Sequence, residues 1–139
     1  MVDELRVRGM LDRLGSEVDA LRRLAARRDA ELLDDDDLMA AVKYRFIVAI
    51  EVCIDVGRHV IASEGLRAPL DYADVFTVLR DANLIDTDTA SELRDTARFR
   101  NLLVHGYAIV DDHRVVEILH SRLDDLAGFR TALARAALR

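Results

Sequence analysis

The chain holds a single cysteine, Cys53, so no internal disulfide can brace it, and its place in an apolar run suits a buried small hydrophobe. One proline, Pro69, and six glycines are too few for a β-rich, collagen-like or disordered chain. Long apolar runs are missing too. The best candidate, residues 46–62, is interrupted by Glu51, Asp55, Arg58 and His59, short of the roughly 18 uncharged residues that suggest a membrane span. The N-terminus lacks a basic segment followed by an apolar one, so a soluble, cytoplasmic protein is expected. There is no glycine-rich phosphate loop, no His/Cys cluster with zinc spacing and no internal repeat, and no metal site is expected. Positive charge is in deficit. With 20 Lys and Arg against 26 Asp and Glu, the net charge of −6 excludes a protein that coats nucleic acid without selectivity, since such affinity rests on neutralising many phosphates. A local site is not excluded, and Arg94, Arg98 and Arg100 with His105 could form a small positive patch in an acidic surface.

What remains is 51% apolar and 33% charged, the balance of a helical globular protein, and 139 residues suffice for one domain, residues 1–139. Leu11, Leu14, Val18 and Leu21 recur at intervals of three and four, which predicts an amphipathic helix over about residues 3–28. Arg22, Arg23, Arg27 and Arg28 lie on its other face, as an RNA-contact stripe or a solvated surface. The run Asp34, Asp35, Asp36 and Asp37 precedes the most apolar segment and suits the capped start of a central helix over residues 38–63. In that helix Glu51, Asp55 and His59 are four apart and share one side, so they need water, a partner or a cleft. Residues 65–71 form a turn, after which Asp71 can cap a short helix burying Tyr72, Val75, Phe76 and Leu79. Thr89 to Glu92 has capping-box spacing for a fourth helix, and a last one runs from about residue 112 to the end, with Val116, Leu119, Leu123, Leu126 and Leu133 as its stripe.

The fourth helix ends in Arg100, Asn101, Leu102, Leu103, Val104, His105, Gly106 and Tyr107. An arginine that stays charged, an imidazole that can move a proton at neutral pH and a phenol stand within two turns. These are tools for phosphate chemistry that need no metal. Arg100 falls in line with Leu93, Ala97 and Val104, where an apolar residue is expected, and such conflicts concentrate at functional sites. Glu51 or Asp55 could orient it from the neighbouring helix. Asn101 can reach His105, four residues on, whereas Arg100 and His105 lie about 140° apart around an ideal helix. They converge only if the helix ends at His105 or a second subunit completes the site. Gly106 suits a left-handed residue there, which would place His105 at the negative end of the helix dipole, fit for a proton donor. Two other pairs, Arg98 with His105 and Arg114 with His120, have similar spacing, but only Arg100 is followed by Asn, with Tyr two places beyond the His.

Arg-Asn-x-x-x-His-x-Tyr closing a helix in a small all-α chain resembles the HEPN superfamily, and within it the HepT ribonuclease toxins. Tyr44 and Arg45 before the run 46–62, then Pro69, Asp71, Tyr72 and Phe76, are similar to the same pattern, so the resemblance covers about residues 40–125. It implies a four-to-five-helix up-and-down bundle that works as a homodimer, with two motifs meeting across an RNA-holding cleft. Arg100 would hold the scissile phosphate, His105 transfer a proton, and Asn101 hold His105 or the phosphate. Metal-independent attack by the RNA 2′-hydroxyl would leave a 2′,3′-cyclic phosphate. The resemblance further implies a minimal nucleotidyltransferase antitoxin that spends ATP and Mg²⁺ to AMPylate Tyr107. The chain itself would need no cofactor, and neither DNA nor membrane is an expected partner. Two other readings stand beside it, a non-catalytic HEPN module that binds nucleotide or docks a nucleotidyltransferase, and a plain helical adaptor.

Overall fold

The computed structural model describes residues 2–106 and 109–138. Among the described residues there are seven helices and no strand: α1 (Glu4–Ala25), α2 (Asp29–Leu33), α3 (Asp36–Ser63), α4 (Tyr72–Asp81), α5 (Thr87–His105), α6 (Asp112–Ser121) and α7 (Leu123–Ala137). The all-α bundle is as expected, with α3 as its axis: it packs against every one of the other six. No helix among the described residues is long and apolar enough to cross a membrane.

Aspartates start five of the helices. The side chains of Asp3, Asp35, Asp71, Asp86 and Asp111 each accept a first-turn N–H, satisfying donors that have no partner within the helix. The acidic run before α3 is therefore a helix start, with Asp35 accepting from the N–H groups of Asp37 and Leu38 and the charges of Asp36 and Asp37 in the first turn. For α5 the expected start at Thr89 is three residues late. Asp86 is the cap, and the Thr89 N–H is what it binds, at 2.7 Å.

Three other boundaries differ from expectation. The first helix stops at Ala25, because the chain turns extended at Arg28 and forms α2, which sinks Leu32 fully into the core. The last helix is two, broken at Arg122 so that Leu119 on one side and Leu123 and Leu126 on the other all remain buried. Of the four residues expected on the buried face of α4, Val75, Phe76 and Leu79 are buried, but Tyr72 stands at the N-terminus with 38% exposed. The arginines near the end of α1 form ion pairs at the surface: Arg22 with Asp124, and Arg27 and Arg28 with Glu31. They are a solvated face.

Two edge-to-face aromatic pairs hold the layers in register, Phe46 on Phe99 between α3 and α5 and Phe76 on Phe129 between α4 and α7, both with centroids 5.4 Å apart. Between α1 and α3 the tie is polar. Glu17 is 2% exposed, and its carboxylate accepts from Arg13 Nε at 3.1 Å and from Arg45 Nη1 at 3.2 Å, so a buried charge is matched by two cations. Cys53 is buried, and burial pushes its thiol up, so it fills space as a small hydrophobe. The connection from α3 to α4 is clamped by Asp74, which accepts from Arg67 Nη1 and Nη2 at 2.7 and 3.0 Å and from the Leu70 N–H at 2.8 Å.

Gly57 marks the closest approach of α3 and α4, since a Cβ there would meet Val75 Cγ1 at 2.7 Å and Leu79 Cδ1 at 3.2 Å. Gly57→Ala is expected to lower stability by about 1–3 kcal/mol through overpacking. Gly9→Ala, within α1 with nothing in reach of the new methyl, is expected to raise it by about 0.4–1 kcal/mol. Urea unfolding of both variants measures the two signs. The clamp gives a pH test. Asp74 is held at about 2, below its ordinary 3.8, first by the Arg67 guanidinium and then by the Leu70 N–H. Folding depresses this pKa, so the stabilisation is complete above the unfolded value and disappears as the pH falls through the folded one. The stability gap between wild type and Asp74→Asn should narrow from roughly pH 5 down to pH 2.

Candidate functional site

Helix α5 presents Arg100 because its neighbours in the helix are committed to the core. Leu93 and Ala97 are fully buried two turns and one turn earlier, and Phe99 is fixed against Phe46 of α3. Arg100 therefore emerges at the edge of the α3–α5 interface with its side chain only 12% exposed. A guanidinium so placed needs a partner. Glu51 provides it: Nη2 and Nε of Arg100 both donate to Oε1, at 2.6 and 3.2 Å. Of the two carboxylates that could have met Arg100 from α3, Glu51 does so. Asp55, one turn on, is exposed and lines the same small cavity of about 180 Å³ with Ile54 and Tyr72. The Tyr72 ring lies beneath the guanidinium, 5.0 Å from its carbon, a cation–π contact that fixes the plane of the fork.

Asn101 does not turn toward His105. Its Oδ1 accepts from Arg100 Nη1 at 3.2 Å, so the two adjacent motif residues form one unit. Among the described residues three of the five guanidinium N–H donors are thus used, leaving two for a ligand.

His105 is the last residue of α5 and exposed, and among the described residues no hydrogen bond joins its ring to Arg100 or Asn101. The helix does end where expected, but Gly106 is not left-handed, with φ −121°. Its lack of a side chain matters for space instead, since a Cβ would stand 3.0 Å from Leu102 Cδ1 and 3.3 Å from the Leu102 carbonyl oxygen, which accepts the Gly106 N–H. Tyr107 lies outside the described residues.

The expected patch of Arg94, Arg98 and Arg100 does not form. Positions 98 and 100 point about 160° apart around the helix, and Arg98 pairs with Asp95 at 3.0 Å on another face, while the charge of Arg94 acts on Asp74. Of the polar line on α3, His59 is drawn to the N-terminus of α1, where Nε2 accepts the Asp3 N–H at 3.4 Å. The residue that the sequence assigned to another task is Tyr72. Its place directly after the capping Asp71 was the available signal, since a first-turn residue can face outward.

Comparison with known proteins adds to this geometry. A family model described as ribonuclease HepT-like matches residues 14–133, most of the chain. The mRNA nuclease HepT of Shewanella oneidensis is 32% identical over 79 residues, which are 57% of this chain and 59% of that nuclease, so the match spans about three-fifths of its length. A solved structure of the tri-AMPylated Shewanella oneidensis HEPN toxin in complex with MNT antitoxin superposes with a TM-score of 0.88 at 22% identity, covering 97% of this chain and 99% of that one. The cytosolic protein YutE from Bacillus subtilis gives a TM-score of 0.84 at 19% identity over 96% of this chain and 90% of its own. At these identities the solved structures share the fold.

Proposed function

The chain belongs to the ribonuclease HepT-like family, and from that premise we propose that it is a metal-independent endoribonuclease, the toxin of a toxin–antitoxin pair. The observation that carries this reading is the state of Arg100, held in place by Glu51, Asn101 and Tyr72 with two N–H donors unused among the described residues. A bidentate guanidinium is suited to the two non-bridging oxygens of a phosphodiester. On this reading Arg100 binds the scissile phosphate and stabilises the charge that builds up on it. Asn101 keeps the fork turned toward the strand, and Glu51 positions it from α3. The RNA 2′-hydroxyl attacks the neighbouring phosphorus as the bond to the 5′-oxygen breaks, leaving a 2′,3′-cyclic phosphate and a 5′-hydroxyl. One proton leaves the 2′-oxygen and one joins the 5′-oxygen, and His105 handles proton transfer at the end of α5. No metal or cofactor is required of this chain.

A second copy supports the same reading. Arg100 and His105 of one chain share no hydrogen bond among the described residues, and Tyr44, Val104 and Ile109, exposed by 59%, 38% and 80%, extend along the faces of α3 and α5 and just beyond α5. Such apolar exposure beside a polar site suits a homodimer in which two motifs line one cleft. Control falls to Tyr107. A minimal nucleotidyltransferase antitoxin using ATP and Mg²⁺ adds adenylate to its hydroxyl, and the added negative charge next to His105 repels RNA.

Intact mass after incubation with the nucleotidyltransferase, ATP and Mg²⁺ should show adenylate on wild type and none on Tyr107→Phe, with RNA cleavage lost only in the former. Arg100→Ala and His105→Ala should each lower cleavage by about 10²-fold or more while staying folded. Wild-type protein that carries adenylate but never cuts RNA would favour the non-catalytic module.

A further inference from the structure

The small cavity at Arg100 is the end of a longer trough. Tyr72 forms a wall shared with a second cavity of about 280 Å³, and Arg58, Ala68 and Pro69 are shared between that cavity and a third of about 590 Å³. Asp55 lines both the first and the third. The trough follows one face of α3. Glu51, Asp55 and Arg58 are spaced by four and three, so Arg58 lies roughly 10 Å along the helix from the residue that holds Arg100.

Its charge changes along the way. The carboxylates Glu51 and Asp55 gather at the Arg100 end, and Asp71, in the middle, is committed to the Asp74 N–H at 2.8 Å. The far cavity is lined by Arg6 and Arg58 against Asp55 alone, with His59, whose Nε2 accepts the Asp3 N–H, and with Met10, Leu66 and Pro69 as an apolar floor. Arg6 and Arg58 are both exposed, and among the described residues no ion pair is made by either, as also for Arg8, Arg23, Arg94 and Arg135, whereas twelve other arginines are paired with carboxylates. Unneutralised cations beside apolar side chains suit a single nucleic-acid strand, which offers phosphates and base faces together.

The geometry points to this trough as the binding path for the RNA strand adjoining the scissile phosphate, with Arg58 and Arg6 on its phosphates and Tyr72 at the entrance to the site. The inference rests on the ribonuclease reading above and adds to it a second subsite that sets how the strand lies.

The test measures binding of a labelled single-stranded RNA to the non-cleaving His105→Ala protein between about 50 and 200 mM salt. Arg58→Ala and Arg6→Ala, both surface changes, should each reduce the slope of log affinity against log salt by about 0.7, and the pair should weaken binding roughly ten-fold. Arg58→Lys should restore most of the slope. Arg23→Ala, also exposed but about 25 Å along α1 from Arg6, should leave it unchanged. Equal slopes in all variants, while wild type still cuts RNA, would overturn the trough and leave the ribonuclease reading standing. Loss of nucleotidyltransferase binding with the RNA slope intact would overturn it in favour of a protein-docking face. A wild type that neither binds nor cuts RNA would end both.

Discussion

Helix α3 touches all six other helices, and that burial constrains everything else in the molecule. A helix so enclosed must place each of its polar side chains against a partner or in the one open strip, because an unmatched charge in the core costs several kcal/mol. Arg45 meets Glu17 of α1, Lys43 meets Asp112 of α6, and Glu51 meets Arg100 of α5. Each pair fixes the position of a different neighbouring helix. Within the strip that stays open, Glu51, Asp55 and Arg58 form the α3 side of the candidate site and its trough.

Seen from α5, the same constraint explains how an arginine can be rigid without being spent. Leu93, Ala97 and Phe99 fix the helix, so the Arg100 backbone is held at the α3–α5 edge, and its side chain is held by its own partners. Glu51 takes two of its donors through a single oxygen, Asn101 takes a third, and Tyr72 holds the plane. On the proposed reading, a phosphodiester entering the cavity would meet a fork already oriented, with little side-chain entropy left to lose. Glu51, 43% exposed, is screened enough to share the cation with an incoming anion.

Much of this was legible in the residues. The helical class followed from scarce proline and glycine, and the conflict of Arg100 with its apolar line marked the site. The spacing of Glu51 and Asp55 on α3 also anticipated a carboxylate partner for Arg100. What escaped notice depends on three-dimensional closure. The break at Arg122 carries no glycine or proline, and the leucine stripe continues across it. Asp86 outcompetes the box beginning at Thr89 because its carboxylate reaches the Thr89 N–H first. Nothing in the sequence singles out Glu17 on α1, whose burial comes with the approach of Arg45 from α3. Gly106 has the right place but a different reason, close contact with Leu102 in place of a positive φ.

The central claim is that Arg100 anchors a metal-free transesterification using the substrate's own 2′-hydroxyl. The most direct measurement compares cleavage, with a chelator present, of an RNA and of the same RNA bearing one 2′-deoxynucleotide on the 5′ side of the cut. The account predicts an unimpaired rate on the first, ending in a 2′,3′-cyclic phosphate, and no cut at the modified position. Cleavage at the deoxy position, or loss of all cleavage on chelation, would contradict it.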